Sequence, residues 1–247
     1  MAEAPDQFYT GLVADLYGPL RSETPEPAPY AAFVRRFGQP ALELGCGDGD
    51  PMLDLVADGL VVEGLDSSAD MLDRCRRAAA ARGLDVTLHH QTMEAMELAT
   101  TYRSIYLAGA TFTLLPDDAA AERALRRIAA HLHVDGAALI PLFIPEPTAE
   151  TVLGRPREHV ATDGSVLRFT VVGERRDESQ RQQRAQVRYE RLDGGVVRDS
   201  AHREWLLHWH TRDGFTAMAE RCGLAVRSVI DIGGAGSNVF SFVLTHP

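Results

Sequence analysis

The sequence contains no lysine, so all 25 of its Lys and Arg residues are arginine. An enzyme that holds a substrate or cofactor as a Schiff base needs a lysine amine, and the P-loop needs a lysine beside the phosphates of its nucleotide. Both kinds of chemistry are therefore excluded for this chain. The chemistry that remains must come from histidine, tyrosine, carboxylates, hydroxyls, thiols or a bound cofactor.

Cysteine, positive charge and long apolar runs are also scarce. Three scattered cysteines, Cys46, Cys75 and Cys222, favour a reduced cytoplasm over a disulfide scaffold. The formal net charge of −10 argues against non-specific attraction to nucleic acid. No apolar run approaches the roughly 18 residues of a membrane span, and the first residues lack a signal-peptide pattern. We therefore expect a cytoplasmic protein that acts on a small molecule, with neither a nucleic-acid nor a membrane partner.

From Pro40 onward, apolar runs alternate with Ala- and Arg-rich runs of helical period. This alternation predicts a Rossmann-like, doubly wound α/β fold with a mostly parallel seven-stranded sheet. An opening helix is predicted from Phe8 to Leu20, followed by a proline-rich link at Pro25, Pro27 and Pro29. The predicted strands are Ala41–Leu44, Val61–Leu65, Val86–His90, Ser104–Ala108, Ala137–Phe143, Ala225–Ile232 and Val239–Thr245. The predicted helices are Met52–Asp58, Ser68–Arg82, Asp118–Leu132, which a turn at Val134-Asp135-Gly136 closes, and Asp213–Cys222.

Longer stretches of alternating polar and apolar residues interrupt this pattern after Thr151. They predict three strands, Ser165–Arg175, Arg184–Leu192 and Val196–Leu207, in an antiparallel β insertion between strands five and six. We therefore expect four parts: an N-terminal helical cap over residues 1–39, a core over 40–150, the insertion over 151–207, and the C-terminal part of the core over 208–247. The insertion is expected to be a lid, a homodimer contact or both.

A glycine-rich loop follows the first predicted strand, in the segment Glu43-Leu44-Gly45-Cys46-Gly47-Asp48-Gly49-Asp50. Glycine allows tight turns and lets a ligand approach the backbone closely. A dinucleotide fingerprint requires glycine where this chain has Asp50, and a pyrophosphate is unfavourable beside Asp48 and Asp50. Glu43, by contrast, suits a cationic amino group. The loop therefore favours a nucleoside that carries an amino acid.

The second predicted strand ends at Asp66, 19 positions after Gly47. That offset is close to the roughly 20 residues at which a carboxylate meets a ribose diol. The alternative is that Asp66 only interacts with the dipole of the next helix, for which Ser68 is the predicted N-cap.

These two segments, residues 43–49 and 64–72, resemble motif I and the following acidic motif of class I S-adenosylmethionine-dependent methyltransferases. The insertion resembles the β-rich lid of small-molecule methyltransferases of natural-product tailoring. The resemblance implies methyl transfer from S-adenosylmethionine to N, O or C of a small molecule, with S-adenosylhomocysteine as product. It also implies cofactor contacts: Glu43, Gly45, Cys46 and Gly47 with the methionine part, Asp66 with the ribose, Ser67, Met71, Thr92 and Met93 near the adenine, and Ala108 near the sulfonium. Thr92 stands where the family often has Asp, which predicts weaker adenine binding.

Candidate catalytic residues are Tyr17, His208 and His210. The resemblance implies that an N-terminal helix closes over the cofactor, so Tyr17 is expected to touch both cofactor and acceptor unless it only packs. His208 and His210 flank Trp209, and histidine is the best base near neutral pH; the alternative is two partly exposed polar strand residues. No group of residues has the spacing of a closed metal site, so no catalytic metal is expected.

Two other functions stay open at this point. A nicotinamide-dependent oxidoreductase would share the doubly wound fold, although Asp50 counts against it. A cofactor-binding regulator that has lost catalysis would share the glycine loop but lack a cavity for an acceptor.

Overall fold

The computed structural model describes residues 8–21, 25–234 and 236–247. Its first sheet consists of β1 (Ala41–Leu44), β2 (Val62–Asp66), β3 (Leu88–His90), β4 (Tyr102–Tyr106), β5 (Leu132–Phe143), β10 (Ala225–Asp231) and β11 (Val239–Thr245). The strand order is β10-β11-β5-β4-β1-β2-β3. Strands β1 to β5 pair in parallel, whereas β11 is antiparallel to both β5 and β10. The prediction of a doubly wound, mostly parallel seven-stranded sheet is confirmed.

Each helix buries one apolar face, and all of the described helices except the first pack on this sheet. The helices are α1 (Leu12–Leu20), α2 (Pro27–Phe37), α3 (Met52–Ala57), α4 (Ala69–Ala81), α5 (Asp118–His131) and α6 (Arg212–Arg221), with a 3-10 turn at Thr111–Leu114. In α5 the buried residues recur at helical spacing: Ala120, Ala121, Ala124, Leu125 and Ile128. The Ser68 hydroxyl accepts a hydrogen bond from the Met71 amide at 3.2 Å, which confirms the predicted N-cap. Within the described residues, no helix is long and apolar enough to cross a membrane.

A second, four-stranded antiparallel sheet lies in the chain between β5 and β10. It consists of β6 (Pro156–Val160), β7 (Val166–Asp177), β8 (Gln182–Asp193) and β9 (Val196–His208), paired in that order. Helix α1 packs on this sheet, because Val13, Leu16 and Leu20 share an apolar cluster with residues of β7 and β8. The second sheet therefore supports the N-terminal helix.

Two predictions at the N-terminal end are wrong in their bounds. The helix predicted from Phe8 begins at Leu12, because Gly11 has a φ of 53°, which interrupts helical backbone. The proline-rich link is helical from Pro27, since a proline in the first turn removes only an amide that has no intrahelical partner.

Two further differences concern strands. The turn predicted at Val134-Asp135-Gly136 lies inside β5, as a bulge between the pairs Leu132↔Tyr102 and Ala137↔Ser104. Strand β6 was not predicted, because it is an exposed edge strand and lacks the polar-apolar alternation of its neighbours.

Candidate active site

The glycine loop lies where the strand order reverses, between β1 and β4. Chain connections leave these two strands in opposite directions, which opens a crevice at their carboxyl ends. Gly45 and Gly47 have φ values of 72° and 53°, a region that side chains rarely adopt. A Cβ on Gly45 would also lie 2.7 Å from Thr111 Cγ2. The loop therefore needs glycine for both its conformation and its close packing against the segment after β4.

Asp66 is fixed beneath this loop by two backbone amides. Its Oδ2 accepts a hydrogen bond from the Gly47 amide, and its Oδ1 accepts one from the Ser68 amide, both at 2.8 Å. Burial raises the pKa of Asp66, while the two amides oppose that rise. Each carboxylate oxygen keeps a second lone pair that can accept a hydroxyl hydrogen bond.

Glu43 lies at the end of β1, below the loop, and is completely buried. Within the part of the chain that the structure describes, neither of its carboxylate oxygens has a hydrogen bond of normal geometry. Burial raises its pKa to about 8. A buried acceptor without a donor is costly, so this position is suited to a ligand that brings one.

Helix α1 is tied to the glycine loop and to α4 by polar contacts. Arg21 forms an ion pair with Asp50, and lies 3.9 Å from Asp48. The Gly11 amide donates to Asp70 Oδ2 at 2.7 Å, and Ser68 Oγ donates to the Tyr9 carbonyl at 2.5 Å. The sequence analysis missed Arg21, although two unpaired carboxylates in one loop are a signal for a cationic partner.

An open cleft of about 870 Å³ extends between α1, the segment after β4 and the second sheet. Its aromatic wall consists of Tyr9, Tyr17, Tyr30, Phe143, Phe169, Tyr189 and Trp205. Of the predicted site residues, Tyr17 and Ala108 line it. Burial, followed by the charge of Asp48, raises the pKa of Tyr17, so its hydroxyl stays protonated at neutral pH. Most of this wall was not predicted, because its residues come from separate elements.

The residues predicted to lie near the adenine occupy the same edge of the sheet. Met71 is buried below the loop, where a Cβ on Gly47 would lie 3.3 Å from its Cε. Ser67 is half-buried and follows β2, while Thr92 and Met93 are half-buried and follow β3, which pairs with β2 at Asp66↔His90. Their contacts with an adenine stay a prediction.

Cys46 is buried in the loop. Burial raises the pKa of its thiol well above the ordinary value, and a Cβ on Gly64 would lie 2.7 Å from its sulfur. The thiol is therefore a tightly packed group and not an activated nucleophile.

His208 and His210 do not line the cleft. Both are 2% exposed, and their ring nitrogens lie 3.4 and 3.7 Å from Asp118 Oδ1. Their burial contradicts the alternative of partly exposed strand residues. Burial lowers the pKa of His208, and burial with the neighbouring His208 lowers that of His210 to about 3. His210 also packs on Phe112, in the turn that contributes Thr111 and Leu114 to the cleft. Their role as bases stays a prediction, without direct contact with the cleft.

Asp118, His208 and His210 each offer a possible metal ligand, and these three atoms lie within 4.8 Å of one another. The Arg181 guanidinium already donates to both oxygens of Asp118 at 2.5 Å. A cation at this position would have to displace Arg181. The expectation of no catalytic metal stays a prediction.

Comparisons with known proteins agree with this geometry. Residues 41–136 match the family described as a methyltransferase domain. Over 151 residues the chain is 34% identical to the dTDP-3-amino-3,6-dideoxy-alpha-D-glucopyranose N,N-dimethyltransferase of Streptomyces fradiae, a match that covers 58% of this chain and 58% of that relative. The chain thus spans a little over half of the curated relative.

Two solved structures show the same fold over nearly the whole chain. One is the methyltransferase CcbJ of Streptomyces caelestis, with a TM-score of 0.77, 22% identity and 98% of each chain covered. The other is an amino pentose methyltransferase of Micromonospora echinaspora, with a TM-score of 0.69, 22% identity, and 97% of this chain and 98% of that chain covered. Residues 41–136 therefore match a methyltransferase domain, and the chain shares the fold of these two solved structures over nearly its whole length.

Proposed function

We propose that this protein transfers a methyl group from S-adenosylmethionine to an amino nitrogen of a small molecule. The observation that carries the proposal is the junction of the glycine loop with the aromatic cleft. The loop would provide a nucleoside site above the buried Glu43, whose oxygens have no hydrogen bond of normal geometry within the described residues, and the cleft would provide room for an acceptor next to it.

The residues of the loop fit S-adenosylmethionine. Glu43 offers two unsatisfied acceptor oxygens to the ammonium group of the methionine part, and Asp66 offers free lone pairs to the ribose hydroxyls. The φ values of Gly45 and Gly47 leave the backbone accessible to a ligand. The bound cofactor supplies an electrophilic methyl group on a sulfonium centre. Tyr17 and Ala108, which line the cleft, would contact the part of the cofactor that carries this methyl group.

The chemistry of the cleft favours nitrogen over oxygen or carbon as the acceptor. Among the described residues that line the cleft there is no histidine, aspartate or cysteine, and the one carboxylate, Glu26, is exposed to solvent. Burial raises the pKa of Tyr9, Tyr17 and Tyr189, so these phenols do not act as bases at neutral pH. A hydroxyl or carbon acceptor needs a base to become nucleophilic, whereas a neutral amine already has its lone pair. Tyr17 would orient the amine, and the cleft would align it with the methyl group.

The acceptor that we propose is an amino sugar. The Streptomyces fradiae relative carries a 3-amino sugar nucleotide in its name, and the Micromonospora echinaspora structure is of an amino pentose methyltransferase. Aromatic walls suit the apolar face of a sugar ring, while Arg157 at the rim supplies a cationic donor. His208 and His210, if they contribute, would do so by supporting the wall at Phe112.

The proposal is tested by supplying the protein with labelled S-adenosylmethionine and a pair of sugar nucleotides that differ only in a 3-amino or a 3-hydroxy group. Methylation of the amino compound alone is expected. Transfer to the hydroxy compound, or oxidation of NADH in place of methyl transfer, would contradict it.

Binding of the cofactor by Asp66 can be tested separately with a variant at that position. We expect Asp66→Ala to weaken S-adenosylhomocysteine binding by roughly 10- to 100-fold, since hydrogen bonds to a charged group contribute about 1.5–3 kcal/mol. Calorimetry measures this effect, and Asp73→Ala is the matched control, because Asp73 is an exposed residue of α4 that pairs with Arg76. Affinity near that of the wild type in Asp66→Ala would remove the ribose assignment.

We also propose a homodimer formed through the second sheet, in the cytoplasm. Val160, Val196 and Val197 are exposed on this sheet, and β6 presents an unpaired edge. Light scattering during size-exclusion chromatography tests the dimer, and Val160→Glu is expected to shift it to monomer.

A further inference from the structure

Glu43 and Tyr106 form a buried pair between the two strands that flank the crevice. They are direct partners in the parallel register of β1 and β4, so their side chains lie on the same face of the sheet. Both are fully buried. Within the described residues, the Tyr106 hydroxyl and both Glu43 oxygens lack a hydrogen bond of normal geometry. Three unsatisfied polar atoms in one place indicate that something completes the pair.

The groups around the Glu43 carboxyl are neutral or acidic on every side. Tyr30 of α2 stacks on the Tyr106 ring, with centroids 5.5 Å apart, and its hydroxyl accepts a hydrogen bond from the Gly109 amide. Cys75 lies on α4 and Cys46 in the loop, and both are buried thiols. The charges of Asp50 and Asp66 act on the Glu43 carboxyl, and Arg21 is already paired with Asp50. An unpaired anion at this depth is strongly disfavoured.

Burial raises the pKa of Glu43 to about 8, Asp50 and Asp66 add to the rise, and the Tyr106 hydroxyl opposes it. Without a cation beside it, the Glu43 carboxyl is therefore expected to be mostly protonated at pH 7. A ligand that brings an ammonium group lowers the pKa of this carboxyl, because a cation beside it favours the charged form.

We propose that Glu43 is protonated in the empty site and loses this proton to solvent when the ligand's ammonium group binds, with Tyr106 as the positioning residue that donates a hydrogen bond to the resulting carboxylate. The O–H bond of the acid breaks, the proton goes to the buffer, and the carboxylate pairs with the ammonium group; no electrons are exchanged. This inference rests on the proposed function, since it assigns the ammonium group to the amino-acid part of the cofactor.

The proposal predicts a pH-dependent affinity. Because one proton must leave, S-adenosylhomocysteine should bind about tenfold more weakly for each pH unit below 7, and the dependence should level off above pH 8. A site that is ionised before binding would show no such slope near neutral pH.

Calorimetry of the full chain at pH 7 in phosphate and in Tris tests the release directly, because these buffers differ in ionisation enthalpy. Release of about one proton for each S-adenosylhomocysteine bound is expected. The ligand control is 5′-methylthioadenosine, which has the adenine and ribose but no amino acid, and it should release none. Proton release on binding of 5′-methylthioadenosine would show that the titrating group faces the ribose, at Asp66, and would overturn the proposal.

Two variants separate the roles of the pair. Glu43→Gln should bind more weakly and release no proton; release that persists would come from the ligand's own amine and would overturn the assignment. Tyr106→Phe should shift the pH midpoint of the release upward, because the Glu43 carboxylate loses the hydrogen bond that stabilises its charged form. A merely structural role would change affinity without moving that midpoint.

The matched control is Tyr102→Phe, a buried tyrosine of the same strand whose hydroxyl donates to Glu63 at 2.8 Å. It should leave the midpoint unchanged. If S-adenosylhomocysteine binds the wild type without proton release, this inference fails and the proposed function stands. If it does not bind at all, both fail.

Discussion

Glu43 and Asp66 are acidic residues at the ends of neighbouring strands, but their surroundings differ. Asp66 accepts hydrogen bonds from two backbone amides, whereas Glu43 has none of normal geometry among the described residues. The fixed amides make Asp66 a permanent part of the loop, ready for a hydroxyl donor. Glu43 is a neutral acid until a cation arrives. One residue therefore shapes the site, and the other responds to its ligand.

The neutral state of Glu43 has a consequence for stability. An unfolded glutamate has a pKa near 4.5, and the folded chain raises it to about 8. Between these values the folded state binds a proton that the unfolded state has lost, so wild-type stability falls as the pH rises from 4.5 to 8 and then levels off. Glu43→Gln does not titrate. We expect its melting temperature, relative to the wild type without ligand, to increase from pH 5 to pH 8.

The slope of this difference should be at most about 1.4 kcal/mol per pH unit. Thermal unfolding followed by circular dichroism across that pH range measures it. Glu150→Gln, at an exposed position, is the control and should follow the wild type at every pH. A constant offset between Glu43→Gln and the wild type would show that the carboxyl is already charged at pH 5.

Local spacing explains which site residues the sequence could predict. Gly45, Gly47 and Asp66 belong to one strand-loop-strand unit, and the contact between Gly47 and Asp66 is fixed by that unit's geometry. Tyr106 and Arg21 belong to the site only through packing between distant segments, so no pattern in their own neighbourhood indicates them. Burial is also a property of the folded chain, which is why His208 and His210 could not be told apart from exposed strand residues.

At the scale of elements, α1 connects the glycine loop to the second sheet. At the two ends of the helix, Arg21 pairs with the loop and the Gly11 amide donates to α4. Its apolar face packs on β7 and β8. The sequence predicted this helix by its apolar period, but its partners are far along the chain. For the same reason the prolines of α2 predict a link. Proline content is a local signal, whereas the packing that stabilises this helix depends on residues far along the chain.

The ion pair of Arg21 with Asp48 and Asp50 holds α1 against the loop, and its removal should loosen the cofactor site. We expect Arg21→Ala to raise the KM for S-adenosylmethionine roughly fivefold, the equivalent of about 1 kcal/mol for a partly buried pair. The wild-type KM should also rise with salt, while that of the variant should not.

The matched control is Arg35→Ala, which removes the exposed ion pair of α2 with Asp58, 3.4 Å apart. Steady-state kinetics at two salt concentrations compare the three proteins. Equal KM values in Arg21→Ala and Arg35→Ala would mean that the ion pair of Arg21 with Asp48 and Asp50 does not control the cofactor site.

At the scale of the whole molecule, the proposed reaction would be divided between the two sheets. The first sheet carries the glycine loop, and the second supplies Phe169, Tyr189 and Trp205 to the far wall of the cleft. The predicted division into a helical cap, a core and an insertion stays a prediction, but α1 and the second sheet share one apolar cluster. Cofactor and acceptor would thus meet at the boundary of two separately built surfaces, which lets the acceptor site vary without altering the loop.

Trp205 offers a test of that division. It lines the cleft from β9, and its indole nitrogen has no hydrogen-bond partner among the described residues. We expect Trp205→Phe, which removes this donor and part of the wall, to raise the KM for the acceptor roughly tenfold, within the 1–3 kcal/mol range for a lost polar contact. Affinity for S-adenosylhomocysteine should stay as in the wild type, because the loop is untouched.

Trp209→Phe is the control for this substitution. Trp209 is buried outside the cleft, with the Arg176 guanidinium 4.0 Å from its ring centroid. Trp209→Phe should lower thermal stability while leaving the KM values for S-adenosylmethionine and for the acceptor near those of the wild type. Asp66→Ala should show the reverse of Trp205→Phe, with cofactor affinity lost and acceptor KM retained at saturating cofactor. If Trp205→Phe and Asp66→Ala instead weaken both ligands equally, the two sheets form one inseparable site and the acceptor cannot be changed independently of the cofactor.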